Sequence, residues 1–457
     1  MSYFELANAS TAWTDIEPDP HVTYDPWRDV RLLHDGGRRG IGSASVVWDW
    51  GQALMRGDRL RTLQQFLPTG APSARVRMKT LTDEMLSTGL RRQRQFLGVM
   101  HRPEVRDHIQ RMTADWARGI SVEFTELVEA PEFAEDSTLV FSAGYNDSRD
   151  MAIDIEGGYG YIACYDTAQL VKVSLPDMVV VDTLAMPPAV TWGPYTITID
   201  LSRNRLYCAD NANPAQLWII DLMGFKYVKD LDLADGQATD LLLDEDGGYL
   251  YVPMTTPSPA KLVKIRVSDF TQIDVVQLAV NENVVTKHGS QLNADAGFVY
   301  LGVSGTPGKI VRVRTSDMTR VDAVTMSAGE DLFTSSVLDI DRDRGFWGTA
   351  IYNIAEVRLS DMTRLGAALG SDSENEDHWA GLAIDKAAGY FYGVCNRLAA
   401  EAAHIVRFSY SDMIRLDFVE LSGIAWTDNL KYNPNTGYMY TCYRATPGWI
   451  AKIGGGE

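Results

Sequence analysis

Seven times between Gly158 and Tyr440 the chain repeats one phrase: a turn glycine or its equivalent, then aromatic–x–aromatic or a close variant. The instances are GYGY (Gly158–Tyr161), NRLY (Asn204–Tyr207), GYLY (Gly248–Tyr251), GFVY (Gly297–Tyr300), RGFW (Arg344–Trp347), GYFY (Gly389–Tyr392) and GYMY (Gly437–Tyr440). Their last aromatics lie 46, 44, 49, 47, 45 and 48 residues apart. A period of roughly 40–50 residues, with several short strands in each unit, is how a β-propeller blade is written in sequence. Seven phrases therefore predict a mainly β chain whose larger part is a seven-bladed β-propeller.

Each unit reads as four strands. Strand A ends on Asp or Asn seven residues before the repeat aromatic, at Asp154, Asp200, Asp244, Asn293, Asp385 and Asn433; the fifth unit departs, with Asp341 six residues before Trp347. Asp and Asn accept backbone N–H groups at a turn start, and the following glycine supplies a positive φ. Strand B is the aromatic phrase. Strand C is a short apolar run, such as LVKVSLPDM or IVRVRTSDM, closing on a turn that ends at Met178, Phe225, Phe270, Met318, Met362 and Met413. A Met or Phe at that fixed place reads as a packing plug between blades. The seventh unit reaches strand C at Trp449–Ile453 and has no strand D, whereas the apolar run Ser137–Gly144 has no blade of its own. The expectation is closure, with 137–144 pairing as the outer strand of the last blade and so removing exposed edges.

Before residue 131 the repeat is absent. Residues 1–130 read as a small, strand-rich α+β domain and 131–457 as the propeller, joined by the polar, proline-bearing stretch Glu129–Ser137. The expected N-terminal strands are Ser43–Trp50, Ala74–Thr82, Arg94–Met100 and Ile120–Val128. Between them a helix is expected over Asp58–Leu67, with Asp58 as N-cap and Leu60, Leu63 and Leu67 on one face. Arg56-Gly57-Asp58 spells an adhesion tripeptide, but its Asp is used by that cap.

The net charge of −19 is uneven. Residues 1–131 carry 17 Lys+Arg against 17 Asp+Glu, leaving 25 against 44 for the remainder. An acidic propeller disfavours nucleic acid, which needs a basic face. No stretch approaches 18 consecutive apolar residues, so no membrane span is expected, and the first residues lack the basic and apolar regions of a secretion signal. Cys164, Cys208, Cys395 and Cys442 fall at matching places in four different units, too far apart to bridge, and read as small buried hydrophobes.

Propeller sites gather where loops enter strand A. Counting five residues back from the turn Asp or Asn gives Arg149, Tyr195, Thr239, His288, Ala380 and Asp428, with Ser335 nearby in the irregular fifth unit. Neighbours add Trp192, Lys287, His378, Trp379 and Trp426. Of these, Arg149, Tyr195, Thr239, His288, Ser335, Trp379 and Asp428 are the candidate ligand-binding residues at the channel mouth. Flat apolar faces with a few polar groups suit a sugar or a peptide. His288, His378, Glu376 and Asp428 are the one set from which a metal or acid–base centre could be assembled, but the run Ser373–Asp377 reads as a solvated loop. No Ser-His-Asp order or phosphate-cradling glycine loop occurs. No catalytic residue, metal or cofactor is expected.

The N-terminal phrases follow a definite order: TYDPWRDVRLL, GGRRGIGSASVVWDWG, LRTLQQFLP, SARVRMKT, GVMHRPE and ISVEFTEL. That order, over Thr23–Val128, resembles a small domain of tail proteins of tailed bacteriophages, where it looks like a module packing against other tail subunits. The SDM-type turns are similar to repeats of large extracellular and viral propeller proteins. The resemblance implies a non-enzymatic virion protein, assembled in the host cytoplasm, docked on the tail through residues 1–130 and present in threefold or sixfold copies. Its propeller would serve as decoration or bind a host-surface glycan or protein. The alternatives are a propeller enzyme of lyase, lactonase or glycan-processing type, and a cellular scaffold binding peptides.

Overall fold

The computed structural model describes residues 133–455 apart from 188–191, 234, 257, 371–375, 387, 398–400 and 423–425, together with strand backbone between Glu5 and Glu129. Seven four-stranded antiparallel sheets follow one another along the chain from Glu135 onward, making a seven-bladed propeller with no helix among the described residues. In blade one the strands are Ser148–Asp154 (A), Tyr159–Cys164 (B), Gln169–Ser174 (C) and Val179–Ala185 (D). Strands B and C are buried on both faces, whereas strand D is largely solvated, as an outermost strand should be. Blade seven takes Trp426–Asn433, Tyr438–Arg444 and Trp449–Gly454 from the C-terminal end of the chain, and its outer strand is Glu135–Val140, antiparallel to Trp449–Gly454.

The repeated phrase does its work at the A–B turn. The strand-ending side chain accepts a backbone N–H three residues on: Gly157 donates to Asp154 at 2.8 Å, Gly247 to Asp244 at 2.7 Å and Ala388 to Asp385 at 3.0 Å. The next residue turns with positive φ, which glycine adopts without steric penalty, as at Gly158 (72°) and Gly389 (71°). In blade two Asn204 fills this place, and in blade five Asp343 does. Blade five is therefore regular, contrary to the sequence reading. Its strand A ends at Asp339, which pairs with Arg344, and the aromatic in register with Tyr161 is Phe346, not Trp347. With Asp343 and no glycine at the turn, the sequence phrase ending at Trp347 falls one residue late against the structural register.

The Met and Phe side chains before strand D are the expected plugs. All six, Met178, Phe225, Phe270, Met318, Met362 and Met413, have positive φ, and each packs with the strand B aromatic of the preceding blade. Tyr161 meets Phe225 at 5.9 Å and Tyr207 meets Phe270 at 6.2 Å between ring centroids. No Met or Phe plug follows Tyr392 of blade six in strand order, because blade seven draws its outer strand from the other end of the chain. Phe133, just ahead of that strand, supplies the ring instead at 5.8 Å, while the Tyr392 hydroxyl donates to the Gly455 carbonyl at 2.5 Å.

Three ion pairs repeat along the later seams. Arg320, Arg364 and Arg415, each in a strand D, reach Glu282, Glu330 and Glu376 in the connection entering the same blade. The three carboxylates are almost wholly buried. Glu376 thus belongs to a packed connection, not to a solvated loop; its neighbours 373–375 lie outside the described residues. The four cysteines are free and buried.

N-terminal strands pair among themselves in a nine-stranded sheet, with Ala114–Glu129 bonded to Ala44–Asp49, Arg91–His101 and Glu104–Arg111, and Ser73–Met85 bonded to Arg91–His101. Val122 lies opposite Trp48, and both are fully buried. The helix expected at Asp58–Leu67 lies outside the described residues.

Candidate functional site at the channel

Along a strand, side chains alternate between faces with a period of two. Both faces of the inner strands border the propeller axis, and the positions two and four back from the strand-ending Asp or Asn supply most of its polar groups. Thr198, Leu242, Gln291, Val337, Ala383 and Lys431 form one tier, and Asp150, Asp240, Ser335, Gly381 and Asn429 the next, around a cavity of about 880 Å³. The cavity runs from these polar groups down to Ile155, Lys386, Pro434 and Asn435 at the A–B turns.

The polar end is barred. The blade-four strand Val284–Asn293 carries a bulge between Val285 and Ser290, where His288 has a φ of 56°. The bulge sends Lys287 across the axis. Its Nζ donates to the Arg149 carbonyl of blade one and lies 3.3 Å from the Asp428 carboxylate of blade seven and 4.3 Å from the centre of the Tyr195 ring of blade two. Arg444 grips Asp428 through Nε and Nη2 at 2.7 and 2.5 Å. Burial alone would raise the Asp428 pKa, but Lys287 and Arg444 hold it down at about 2. Blades four and seven are thereby tied together through the middle of the ring.

Beneath the bar, Asp150 organises the blind end. Its carboxylate accepts from Met151 N (2.7 Å), Ile197 N (2.9 Å), Thr196 Oγ1 (3.1 Å) and Asn429 Nδ2, which joins blades one, two and seven. His288 Nε2 stands 3.7 Å away. Burial pushes the His288 pKa down to about 4 despite Asp150, so the imidazole is neutral at pH 7. Burial, followed by repulsion from Asp150, pushes Asp240 up to about 7. Two proton-exchanging groups thus face one cavity, one neutral and one half ionised near neutrality.

Beyond the bar lies an aromatic shelf. Tyr165 stacks on Trp192 at 5.4 Å and 6°, with Tyr195 edge-on at 5.7 Å and the Arg149 guanidinium 5.2 Å from the Tyr165 centroid. Arg149 is steadied by Asp147 at 2.7 Å. His378 meets Trp426 edge-on at 4.7 Å. Trp192 and Trp426 are 46% and 45% exposed, large for indole rings.

The sequence candidates separate among these places. Arg149, Tyr195 and Asp428 gather at the bar and shelf, while His288 and Ser335 line the cavity. Thr239 is buried with its hydroxyl on the Pro253 carbonyl at 3.1 Å, and Trp379 is fully buried in the seam between blades five and six, so neither reaches the mouth. Asp150, Asp240, Asn429, Lys431 and Arg444 were not foreseen. The first four lie two or four residues before the strand-ending Asp or Asn, where a search for polar residues along strand A finds them; Arg444 ends a strand B and carries no local mark. The set His288, His378, Glu376 and Asp428 does not converge: Glu376 is held by Arg415 and Asp428 by Arg444. Among the described residues no three His, Cys, Asp or Glu side chains are grouped as a metal ion requires, and no helix is long and apolar enough to cross a membrane. Compared with known proteins, the chain matches no family model and no curated relative.

Proposed function

We propose that the chain is a non-enzymatic virion protein of a tailed bacteriophage, with residues 1–130 docking on other tail subunits and the propeller binding a glycan or protein of the host surface. The observation that carries the binding role is the shelf in which the exposed Trp192 stacks on Tyr165, with Tyr195 edge-on and Arg149 against both tyrosines, together with the exposed Trp426 packed on His378. Such a surface offers apolar area together with directional polar groups, as recognition of sugars or peptides needs. The charged groups nearest the shelf are engaged with one another (Arg149 with Asp147, Asp428 with Arg444 and Lys287), which favours binding over chemistry. Order of the N-terminal phrases supports the tail, and three or six copies follow from the symmetry of tails. Buried, unbridged cysteines agree with assembly in the host cytoplasm.

Cryo-electron microscopy of tails from the source phage tests the docking, with the N-terminal strands expected against a tail ring and the propeller projecting. Binding of the purified protein to host cells tests the role, and Trp192→Ala with Trp426→Ala is expected to abolish it. A protein found on no tail, and binding no host cell, overturns the proposal. A second reading, a propeller enzyme, is favoured by one observation: Asp240, raised to near neutrality, and a neutral His288 line the same cavity, where they could exchange protons with a substrate.

A further inference from the structure

Five charged side chains line the channel cavity: Asp150, Asp240, Asp385, Lys386 and Lys431. Three of them are engaged by the protein itself. Asp150 accepts from Met151 N, Ile197 N, Thr196 Oγ1 and Asn429 Nδ2. Asp385 accepts the Ala388 N–H at the A–B turn, and Lys386 is held by Asp339 and Asp341 at 2.7 and 2.6 Å. His288, which also lines the cavity, is neutral at pH 7. Two charged groups remain. One Asp240 oxygen accepts from Leu241 N at 2.9 Å, while the other has no partner among the described residues and is not closed off from the cavity. Lys431 Nζ makes no hydrogen bond or ion pair among the described residues, and it too is not closed off.

A charge withdrawn from bulk water costs free energy unless it is paired, so a carboxyl and an ammonium open to one cavity define what would complete it. An anion alone would satisfy Lys431 but sit against Asp240 and Asp150. A cation alone would satisfy Asp240 but sit against Lys431, and an uncharged ligand would leave both without partners. A zwitterion pairs each group and leaves the net charge of the channel unchanged. The rest of the lining is mostly aliphatic, Ile153, Leu242, Leu292, Val337 and Leu382 among it, which suits an apolar side chain. The volume of about 880 Å³ falls within the usual range of roughly 300–1,000 Å³ for small-molecule sites. Lys287 bars the shelf side, so entry is from the A–B turns. We propose that the channel binds an apolar α-amino acid as its zwitterion, with the ligand carboxylate on Lys431, its ammonium on Asp240 and its side chain against the aliphatic walls. This site is separate from the aromatic shelf and does not depend on docking to a tail.

The test is calorimetry and saturation-transfer NMR on the full chain with L-leucine and L-phenylalanine as probes. Isocaproate, which is leucine without its ammonium, and isoamylamine, which is leucine without its carboxylate, are the matched controls. At least one of the two amino acids is expected to bind, and each control about tenfold more weakly, the effect of one lost charge-assisted hydrogen bond. Lys431→Gln and Asp240→Asn should each weaken amino-acid binding by about the same factor, and matching circular dichroism and melting curves at acid pH show that the fold is kept. Asp240 is raised to about 7 by burial and then by Asp150, against the pull of Leu241 N, Lys431 and Lys287, and it must ionise to meet the ammonium. Affinity in the parent should therefore fall about tenfold per pH unit below 7, a dependence absent from Asp240→Asn. His288, at about 4, stays neutral down to about pH 5. Binding of neither amino acid overturns the proposal, as does isocaproate or isoamylamine binding as tightly as leucine. Amino-acid binding that is unchanged in both variants, or flat between about pH 5.5 and 7.5, also overturns it.

Discussion

Replacing Asp240 by Asn removes a titrating group from the blind end while leaving its shape and an oxygen for the Leu241 N–H. In the folded protein burial, followed by repulsion from Asp150, raises this carboxyl from 3.8 to about 7. The unfolded chain releases the proton near pH 4 and the folded chain keeps it until about pH 7. Stability from this group is therefore complete below the unfolded value and is lost as pH rises through the folded one. The interval of 7 − 3.8, or 3.2 on the pH scale, corresponds to about 4 kcal/mol at about 1.36 kcal/mol per pH unit. Asn carries no charge at any pH, so the variant escapes this loss. Urea unfolding followed by tryptophan fluorescence from about pH 4 to 9 should show parent and variant nearly equal at the acid end. The variant should gain steadily to about 4 kcal/mol above pH 8. A difference that stays flat with pH, or a variant less stable than the parent at pH 8.5, refutes the placement of a buried, uncompensated carboxyl on the axis.

His288 is expected to titrate near pH 4, because burial lowers it from 6.5; its contribution is present above 6.5 and lost as pH falls through 4. Histidine-detected NMR checks this, and a midpoint above 6 contradicts it. Arg364→Met should destabilise by about 3 kcal/mol, since it leaves the Glu330 carboxylate, 2% exposed, without its cation; denaturant midpoints in the parent and in Glu330→Gln/Arg364→Met show whether the loss is recovered. Phe133→Ala should lower stability by about 2 kcal/mol, below the range for a wholly buried ring because Phe133 is only partly buried. Thermal melts test that, and an unchanged midpoint would remove Phe133 from the closure. The four cysteines should resist alkylation in the folded protein and react in urea, because all are buried and burial pushes the Cys164 thiol up to about 12.

The blade repeat was legible because its causes are local. An Asp or Asn cap, a positive-φ residue and an aromatic three residues later lie within eight positions, and Gly158, Gly248, Gly297, Gly389 and Gly437 announce the turn. Where Asp343 replaces the glycine the local mark is lost, and only the pairing of Asp339 with Arg344 restores the register. Phe133 shows the opposite limit. Nothing near it resembles the SDM phrase, and its role as the seventh plug follows from the ring bringing it against Tyr392. The channel is only partly legible at five places back from the turn: His288 and Ala380 line the cavity there, whereas Thr239 is buried on the Pro253 carbonyl and Arg149, Tyr195 and Asp428 stand at the bar and shelf.

The amino-acid sequence alone determined the number of blades, the four strands in each, the turn chemistry and the plugs, since each rests on contacts within a few residues or on a period of two. Tertiary structure alone decided what meets on the axis. Asn429 and Asp150 are 279 residues apart and Lys287 and Asp428 are 141 apart, so only closure of the ring brings them together. Only burial in that closed ring sets the protonation of Asp240 and His288, because desolvation depends on what surrounds a group in space and not on its neighbours along the chain.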